Sequence, residues 1–179
     1  HSIQGESTHA GRPCVFVRLT ACDLRCSWCD TPYAFTEGRK MSLDDVIATV
    51  DGYRCPLVEI TGGEPLLQRD VYPLMHRLLD GGRTVMIETG GHISIEEVPA
   101  PVIKIVDVKC PGSGESHRNH WANLERLAPH DEVKFVDRHF LGPDPVTEPR
   151  AYRRPTDDGD DLHVADCHAI PSTVGGGGE

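Results

Sequence analysis

Short apolar runs alternate with amphipathic segments across the first 136 residues. Runs rich in Val, Ile, Leu and Phe predict strands at residues 15–19, 57–61, 84–89, 102–108 and 132–136. Apolar residues recur every three or four positions between residues 71 and 79, which predicts a helix that ends at Gly81. Ser42, followed closely by two aspartates, predicts the start of another helix that runs to residue 50, and residues 121–127 predict a short third one.

This alternation predicts one α/β domain over residues 1–136. Its strands should lie mostly parallel, joined by right-handed crossovers, in a sheet curved into an incomplete (partial) β/α barrel. From residue 137 the pattern fails, because prolines recur, four aspartates fall within residues 157–161 and glycines occupy residues 175–178. Residues 137–179 are therefore predicted to be an atypical, poorly ordered C-terminal tail.

The chemically unusual residues follow the predicted strands. Three cysteines come after the first strand and the sequence Gly-Gly-Glu at 62–64 after the second. Glu88 and Thr89 close the third strand, and Lys109 follows the fourth. Because parallel α/β sheets carry their chemistry at the carboxyl ends of the strands, these residues are predicted to meet at one rim.

Composition narrows the classes of function. The chain has 179 residues, 38% of them hydrophobic and 26% charged, as in an ordinary globular domain. A net charge of −10 argues against direct binding of nucleic acid. No stretch of about 18 apolar residues occurs, which predicts no membrane span and a cytoplasmic location. In that reducing compartment the seven cysteines are not expected to form disulfides.

Cys22, Cys26 and Cys29 place three thiolates on one short loop, with the spacing C-x3-C-x2-C. Thiolates are the ligands of iron–sulfur clusters, and three of them leave one iron of a [4Fe-4S] cluster open to a reactant. A structural zinc site is the alternative, and it would need a fourth ligand. The candidates for that ligand, none in a paired C-x2-C spacing, are Cys14, Cys55, Cys110 and His9. The sequence therefore favours a cluster with an open iron.

Residues 22–30, CDLRCSWCD, resemble the cysteine loop of the radical S-adenosylmethionine (SAM) superfamily. Residues 61–65, TGGEP, look like the Gly-Gly-Glu motif of the same superfamily. The resemblance implies a partial TIM-type barrel and one [4Fe-4S] cluster held by Cys22, Cys26 and Cys29. It also implies that the open iron binds the amino and carboxylate groups of SAM, which an electron cleaves to a 5'-deoxyadenosyl radical.

Other segments indicate one family within this superfamily, namely residues 2–7, 15–19, 29–33, 61–68, 87–89 and 107–115. Together they are similar to the 7-carboxy-7-deazaguanine synthase family over residues 2–136. That family implies a carbon–nitrogen lyase that converts 6-carboxy-5,6,7,8-tetrahydropterin to 7-carboxy-7-deazaguanine with loss of ammonia. SAM is re-formed in the reaction, and the product feeds queuosine and related 7-deazapurine pathways, including tRNA modification.

The resemblance also implies a role for individual residues, none of them catalytic in its own right, since the cluster and SAM carry the radical chemistry. The substrate would be bound by Ile3, Gln4, Gly5, Glu6, Arg18 and Thr61. Thr31 would contact Mg2+. SAM would be held by Trp28, Asp30, Gly63, Glu64, Glu88, Thr89, Val108 and Lys109. Arg18 has independent support, because a charge within a predicted buried strand needs an anion beside it.

The family further implies a flavodoxin or ferredoxin as electron donor, and a homodimer that buries sheet surface left exposed by an incomplete barrel. This chain departs from the family pattern at Ser7 and Ala21, where Gly is usual, and at Asp23, where Asn is usual. The family's His-Lys stretch near the C-terminus is absent. Two alternatives stay open: another small radical SAM enzyme such as a glycyl-radical activase, and a catalytically impaired iron–sulfur relative.

Overall fold

The computed structural model describes residues 1–136 and the backbone of residues 161–166. Within these residues eight strands and three α-helices form. The strands are β1 (Ser2–Ile3), β2 (Pro13–Leu19), β3 (Arg39–Ser42), β4 (Leu57–Gly62), β5 (Thr84–Thr89), β6 (Ile103–Lys109), β7 (Glu132–Val136) and β8 (Asp161–Asp166). The helices are α1 (Leu43–Gly52), α2 (Val71–Asp80) and α3 (Ala122–Glu125).

All strands but β1 lie in the order β3-β8-β2-β4-β5-β6-β7, and β1 pairs antiparallel with the first residues of β2. The five strands from β2 to β7 in this order run parallel, whereas β8 is antiparallel to both β2 and β3. A long-range contact shows that the sheet curls. Thr8, which precedes β2, donates hydrogen bonds to Glu132 on β7, at the far edge of the sheet. The prediction of a partial, mostly parallel α/β barrel is confirmed.

The hydrophobic core lies between the sheet and the two longer helices. Ser42 caps α1, and its Oγ accepts a hydrogen bond of 3.2 Å from the backbone nitrogen of Asp45. The helices bury Val46 and Val50 of α1 and the apolar stripe of α2 against the outward side chains of the strands. Along each strand every second side chain packs into this core, and the side chains between them face the inside of the curled sheet.

Predicted and observed elements differ mainly at the short strands. Strands β1 and β3 were not predicted, because neither contains an apolar run and each exists through pairing with a neighbour. Residues 137–160 and 167–179 of the predicted tail lie outside the described residues. Asp161–Asp166 also falls in that tail, and its backbone forms β8 between β2 and β3. No helix in the described part of the chain has the length and apolarity that a membrane crossing requires.

Candidate functional site

The carboxyl ends of β2, β4, β5 and β6 surround one cavity of about 920 Å³. The loop after β2, the inner face of β7 and the segment before β2 complete its wall. Every residue predicted for the cluster, Mg2+, SAM or substrate lines this cavity except Glu64 and Val108. The structure thus brings together, at one rim, residues that are more than 100 positions apart in the chain.

The cysteine loop is held from the side by residues 110–118. The backbone nitrogen of Ser27 donates to the Ser113 carbonyl at 3.0 Å, and the Ser27 hydroxyl donates to the Gly112 carbonyl at 2.8 Å. The backbone nitrogen of Arg25 donates to Glu115 at 2.6 Å. These contacts fix the loop backbone on both sides of the second cysteine, Cys26, where no regular strand or helix supports it.

All three loop cysteines are free thiols that line the cavity. Burial raises the pKa of Cys22 to about 12 and also raises the pKa of Cys26, although the nearby Lys109 ammonium partly opposes the shift at Cys26. Both are therefore protonated at neutral pH, and a bound metal centre would have to displace their protons.

The described residues contain no group of three His, Cys, Asp or Glu side chains close enough to share one metal ion. All three cysteines nevertheless line the same cavity. In a [4Fe-4S] cluster each cysteine thiolate binds a different iron.

The double glycine after β4 lets the backbone approach the start of the cysteine loop. Gly62 has a φ of +111°, and a Cβ there would lie 2.3 Å from the Leu19 carbonyl oxygen. A Cβ on Gly63 would lie 2.1 Å from the Ala21 carbonyl oxygen. Glycine is therefore required at both positions. The close approach is secured by hydrogen bonds from Gly63 and Glu64 nitrogens to Leu19 and Ala21, at 2.8 and 2.7 Å.

Glu64, predicted to contact SAM, is fully buried instead of lining the cavity. Its carboxylate accepts hydrogen bonds from the Leu66 nitrogen at 3.0 Å, the Thr89 hydroxyl at 2.9 Å and the Gly90 nitrogen at 2.7 Å. In this structure Glu64 therefore joins the ends of β4 and β5. Val108 is likewise buried and outside the cavity wall.

Asp23, beside the first cysteine, anchors the loop to two other segments. Its carboxylate lies 2.5 Å from His92 Nε2 and accepts a hydrogen bond of 2.6 Å from Arg118. Burial raises the pKa of Asp23, but the hydrogen bonds from Arg118 and His92 outweigh it and lower that pKa overall. An asparagine could not make the same ionic contact with Arg118, so the aspartate at this position has a structural reason.

The predicted substrate residues form a polar wall on the inner face of the sheet. Arg18 Nε is buried and has no hydrogen-bond partner among the described side chains, while its guanidinium lies 5.2 Å from the Phe16 ring centroid. A half-buried guanidinium that lines a cavity and has an unpaired Nε can receive an anion. Thr61 donates a hydrogen bond of 2.9 Å to Glu88 on the neighbouring strand.

Lys134 on β7 joins two of these residues across the curled sheet. Its ammonium lies 2.7 Å from Glu88 and 2.5 Å from Glu6. Although burial raises the pKa of Glu88, Lys134 lowers it overall, so Glu88 is a carboxylate at neutral pH. The predicted magnesium ligand Thr31 also lines the cavity, where its hydroxyl donates to the Gly62 carbonyl at 3.4 Å and is 3.8 Å from Cys29 Sγ.

Several residues of the cavity wall were not predicted from the sequence, among them Glu59 and Lys134. Glu59 precedes Thr61 by two positions on β4, so the alternation of a strand places both on the same inner face. That spacing was a usable signal. Lys134 gave no such signal, because its contacts depend on the curl that brings β7 to the N-terminal segment.

Comparison with known proteins agrees with this geometry. Residues 17–102 match the family model described as the radical SAM superfamily. The chain is 57% identical over 137 residues to a 7-carboxy-7-deazaguanine synthase from Koribacter versatilis, covering 75% of this chain and 61% of that protein. It is 45% identical over 135 residues to the enzyme of the same name from Chlorobaculum tepidum, again covering 75% and 61%.

A solved structure is also similar, the crystal structure of QueE from Escherichia coli, with a TM-score of 0.57. It shares 22% sequence identity, and the match covers 75% of this chain and 80% of that one. This likeness supports the fold. The chain spans about 61% of the length of the first two synthases it matches.

The partial barrel, the cysteine loop at its rim and these matches define the class: the chain belongs to the radical SAM superfamily. Within that superfamily it belongs to the 7-carboxy-7-deazaguanine synthase family. Membership implies a [4Fe-4S] cluster and SAM as cofactors.

Proposed function

We propose that this chain is a 7-carboxy-7-deazaguanine synthase, a carbon–nitrogen lyase that converts 6-carboxy-5,6,7,8-tetrahydropterin to 7-carboxy-7-deazaguanine with loss of ammonia. One observation carries the proposal. The same cavity is lined by the three loop thiols and by Arg18, a half-buried arginine whose Nε is buried without a hydrogen-bond partner, beside a polar wall. This combination suits a small anionic heterocycle held next to a redox centre.

Cys22, Cys26 and Cys29 would hold the cluster, and SAM would lie against Trp28, Asp30, Gly63, Thr89 and Lys109. Their donor set fits, because three free thiols share the cavity with a lysine whose charge opposes proton binding at Cys26. When bound, the cluster and SAM supply a one-electron cleavage that yields a carbon-centred radical. The protein contributes position and shielding, since the loop is fixed by the 110–118 segment and the thiols are half-buried.

The substrate would be fixed by charge and hydrogen bonds from the sheet. Arg18 would pair with the pterin carboxylate, because it lines the cavity and its buried Nε lacks a partner among the described side chains. Glu6 and Glu88 are linked through Lys134, so the segment that carries Ile3, Gln4 and Gly5 is drawn over the cavity. Thr31 would contact Mg2+ with its hydroxyl lone pairs, because its O–H is directed to the Gly62 carbonyl.

Four further features belong to this proposal as expectations. The product enters queuosine and 7-deazapurine biosynthesis and, through it, tRNA modification. A flavodoxin or ferredoxin supplies the electron. The protein works in the cytoplasm. It forms a homodimer, and light scattering that shows a monomer at working concentration would contradict that expectation.

The proposal is tested with the full chain, reconstituted anaerobically with iron and sulfide. Dithionite, SAM, Mg2+ and the pterin are then added, and products are identified by mass spectrometry. We expect 7-carboxy-7-deazaguanine from the wild type and from Cys110→Ala, a matched control outside the loop. We expect Cys26→Ala to lose both product and bound iron. A Cys26→Ala protein that retains iron and product would disprove the assignment of the loop.

A further inference from the structure

Glu59 is a buried acid in the floor of the cavity. Its side chain lies on the inner face of β4, in register with Phe16 on β2 and Met86 on β5, so both cross-strand neighbours in its row are apolar. The residue is only 3% exposed, yet it lines the cavity. Burying a carboxyl group among apolar side chains costs free energy that packing alone does not return. A functional reason for an acid at this position is therefore needed.

The hydrogen bonds of Glu59 leave part of its carboxyl group available. Gln4 Nε2 donates to Glu59 Oε2, and Gln4 Oε1 in turn accepts 2.8 Å from the Glu6 backbone nitrogen. Among the described residues Glu59 has this one side-chain hydrogen bond, and none involves Oε1. Gln4 is itself 3% exposed and largely committed to the protein. The amide thus orients the acid, and the acid faces the cavity.

Burial is the main reason that Glu59 favours its neutral form. Burial raises its pKa to about 8, Glu88 and Glu6 add to the shift, and Arg18 and Lys134 oppose it. A neutral carboxyl group offers an O–H donor beside a carbonyl acceptor. These two atoms complement a cyclic amide, which presents a carbonyl acceptor next to an N–H donor. Such an edge is part of the pterin ring system.

We propose that Glu59 is a substrate-recognition residue, which Gln4 aligns so that its neutral carboxyl group binds the cyclic-amide edge of the pterin. The inference rests on the proposed function, because it takes the pterin as ligand. Glu59 Oε1 donates to the ring carbonyl, and Oε2 accepts from the ring N–H while it keeps the hydrogen bond from Gln4. Phe16 is paired with Glu59, and Arg18 lies two residues further along β2. Arg18 then holds the carboxylate at the other end of the ligand.

The test uses the reconstituted holoenzyme and separates pterin binding from SAM binding. Glu59→Met keeps the length of the side chain and removes both hydrogen-bonding atoms. Losing hydrogen bonds worth about 1–3 kcal/mol should raise the KM for the pterin roughly 5- to 150-fold. Iron content, SAM affinity and SAM cleavage without the pterin should stay within twofold of wild type. Glu59→Gln retains a neutral donor and acceptor, so its KM should rise less than fivefold.

Two further variants make the result decisive. Glu96→Gln removes an exposed carboxylate that pairs with Arg126 on the surface and should leave every readout unchanged. Glu59→Asp keeps a carboxyl group but shortens the side chain by one methylene, so it should raise the KM for the pterin. This variant tests the proposal even if Glu59→Met fails to fold.

Unchanged KM values in Glu59→Met or Glu59→Asp would overturn the inference while leaving the proposed function intact. A loss in Glu59→Gln as large as that in Glu59→Met would also overturn it, since a charged carboxylate would then be required. If wild type forms no deazaguanine but binds the pterin in a Glu59-dependent manner by calorimetry, the proposed function fails and the inference stands. Absence of both binding and conversion would overturn both.

Discussion

Gly63→Ala should damage the cluster loop more than the fold. The added Cβ would lie 2.1 Å from the Ala21 carbonyl oxygen and 2.7 Å from the Ala21 carbonyl carbon. Both atoms are backbone, so no side chain can rotate away. Ordinary contact distances of about 3.5 Å require the two segments to separate by roughly 1 Å. Ala21 is followed directly by Cys22, so the displacement passes into the first predicted cluster ligand.

The size of the effect follows from the contacts that the displacement breaks. The hydrogen bond of 2.7 Å from the Glu64 nitrogen to Ala21 should weaken or be lost. We expect the free energy of unfolding to fall by about 1–3 kcal/mol, which most domains of this size survive. A shift of about 1 Å at a reacting centre costs roughly 100-fold in rate, so SAM cleavage should fall by about that factor.

The assay compares reconstituted Gly63→Ala with wild type and with Gly52→Ala. Gly52 ends α1, and a Cβ there meets nothing within 4 Å. Iron per chain, the electron paramagnetic resonance spectrum of the reduced cluster and the rate of SAM cleavage are measured alongside thermal unfolding. Gly52→Ala should match wild type in all four. If Gly63→Ala binds iron and cleaves SAM within twofold of wild type, the steric argument is refuted.

Three further predictions concern stability and binding. Ala21 has a φ of +67°, so Ala21→Gly should raise the free energy of unfolding by about 1 kcal/mol in a denaturant titration. Ala48→Gly, at an exposed position of α1, should lower that free energy by about 1 kcal/mol. Equal effects of one sign in the two variants would contradict this prediction. Because the pKa of Glu59 rises from 4.5 to about 8 on folding, the folded state holds the proton more tightly between these values. Wild-type stability should therefore fall as pH rises from about 5 to 8, by at most about 1.4 kcal/mol per unit, and Glu59→Gln should remove this slope; parallel curves would rule it out. Arg18→Met should raise the pterin KM at least tenfold while SAM affinity is unchanged, and comparable losses of both would show a structural role instead.

The fold was predictable where strands are buried on both sides. Apolar runs of five to seven residues identify β2, β4, β5 and β6, because such runs bury their side chains on both faces of a parallel sheet. The apolar residues of β7 also identify a strand, although Val133 and Phe135 are 39% and 65% exposed at the edge of the sheet. Strand β3 has no such run, since Arg39 and Lys40 are exposed and its pairing with β8 comes from 120 residues further along the chain. The sequence around β3 alone therefore could not predict that it forms a strand.

The site was predictable in position and less so in detail. Motif spacing and strand ends placed the three cysteines, Arg18 and Thr61 at one cavity, as observed. The same motif suggested that Glu64 faces SAM, but the hydrogen bonds from Thr89 and Gly90 turn its carboxylate into the protein. A motif specifies which residue follows a strand, whereas the direction of its side chain depends on neighbouring loops.

The contacts of Lys134 were beyond any local signal. Its partners Glu6 and Glu88 lie 128 and 46 positions away, and they meet only because the sheet curls. Long-range ion pairs of this kind follow from the completed topology.

The most direct test of the central claim is the number of 7-carboxy-7-deazaguanine molecules formed per SAM consumed, measured by mass spectrometry on the anaerobic holoenzyme. Because SAM is re-formed in the proposed reaction, we predict several products per SAM lost, with a dependence on Mg2+ and on the pterin. SAM cleavage to 5'-deoxyadenosine with no deazaguanine, at every pterin concentration, would contradict the claim and leave only the family assignment.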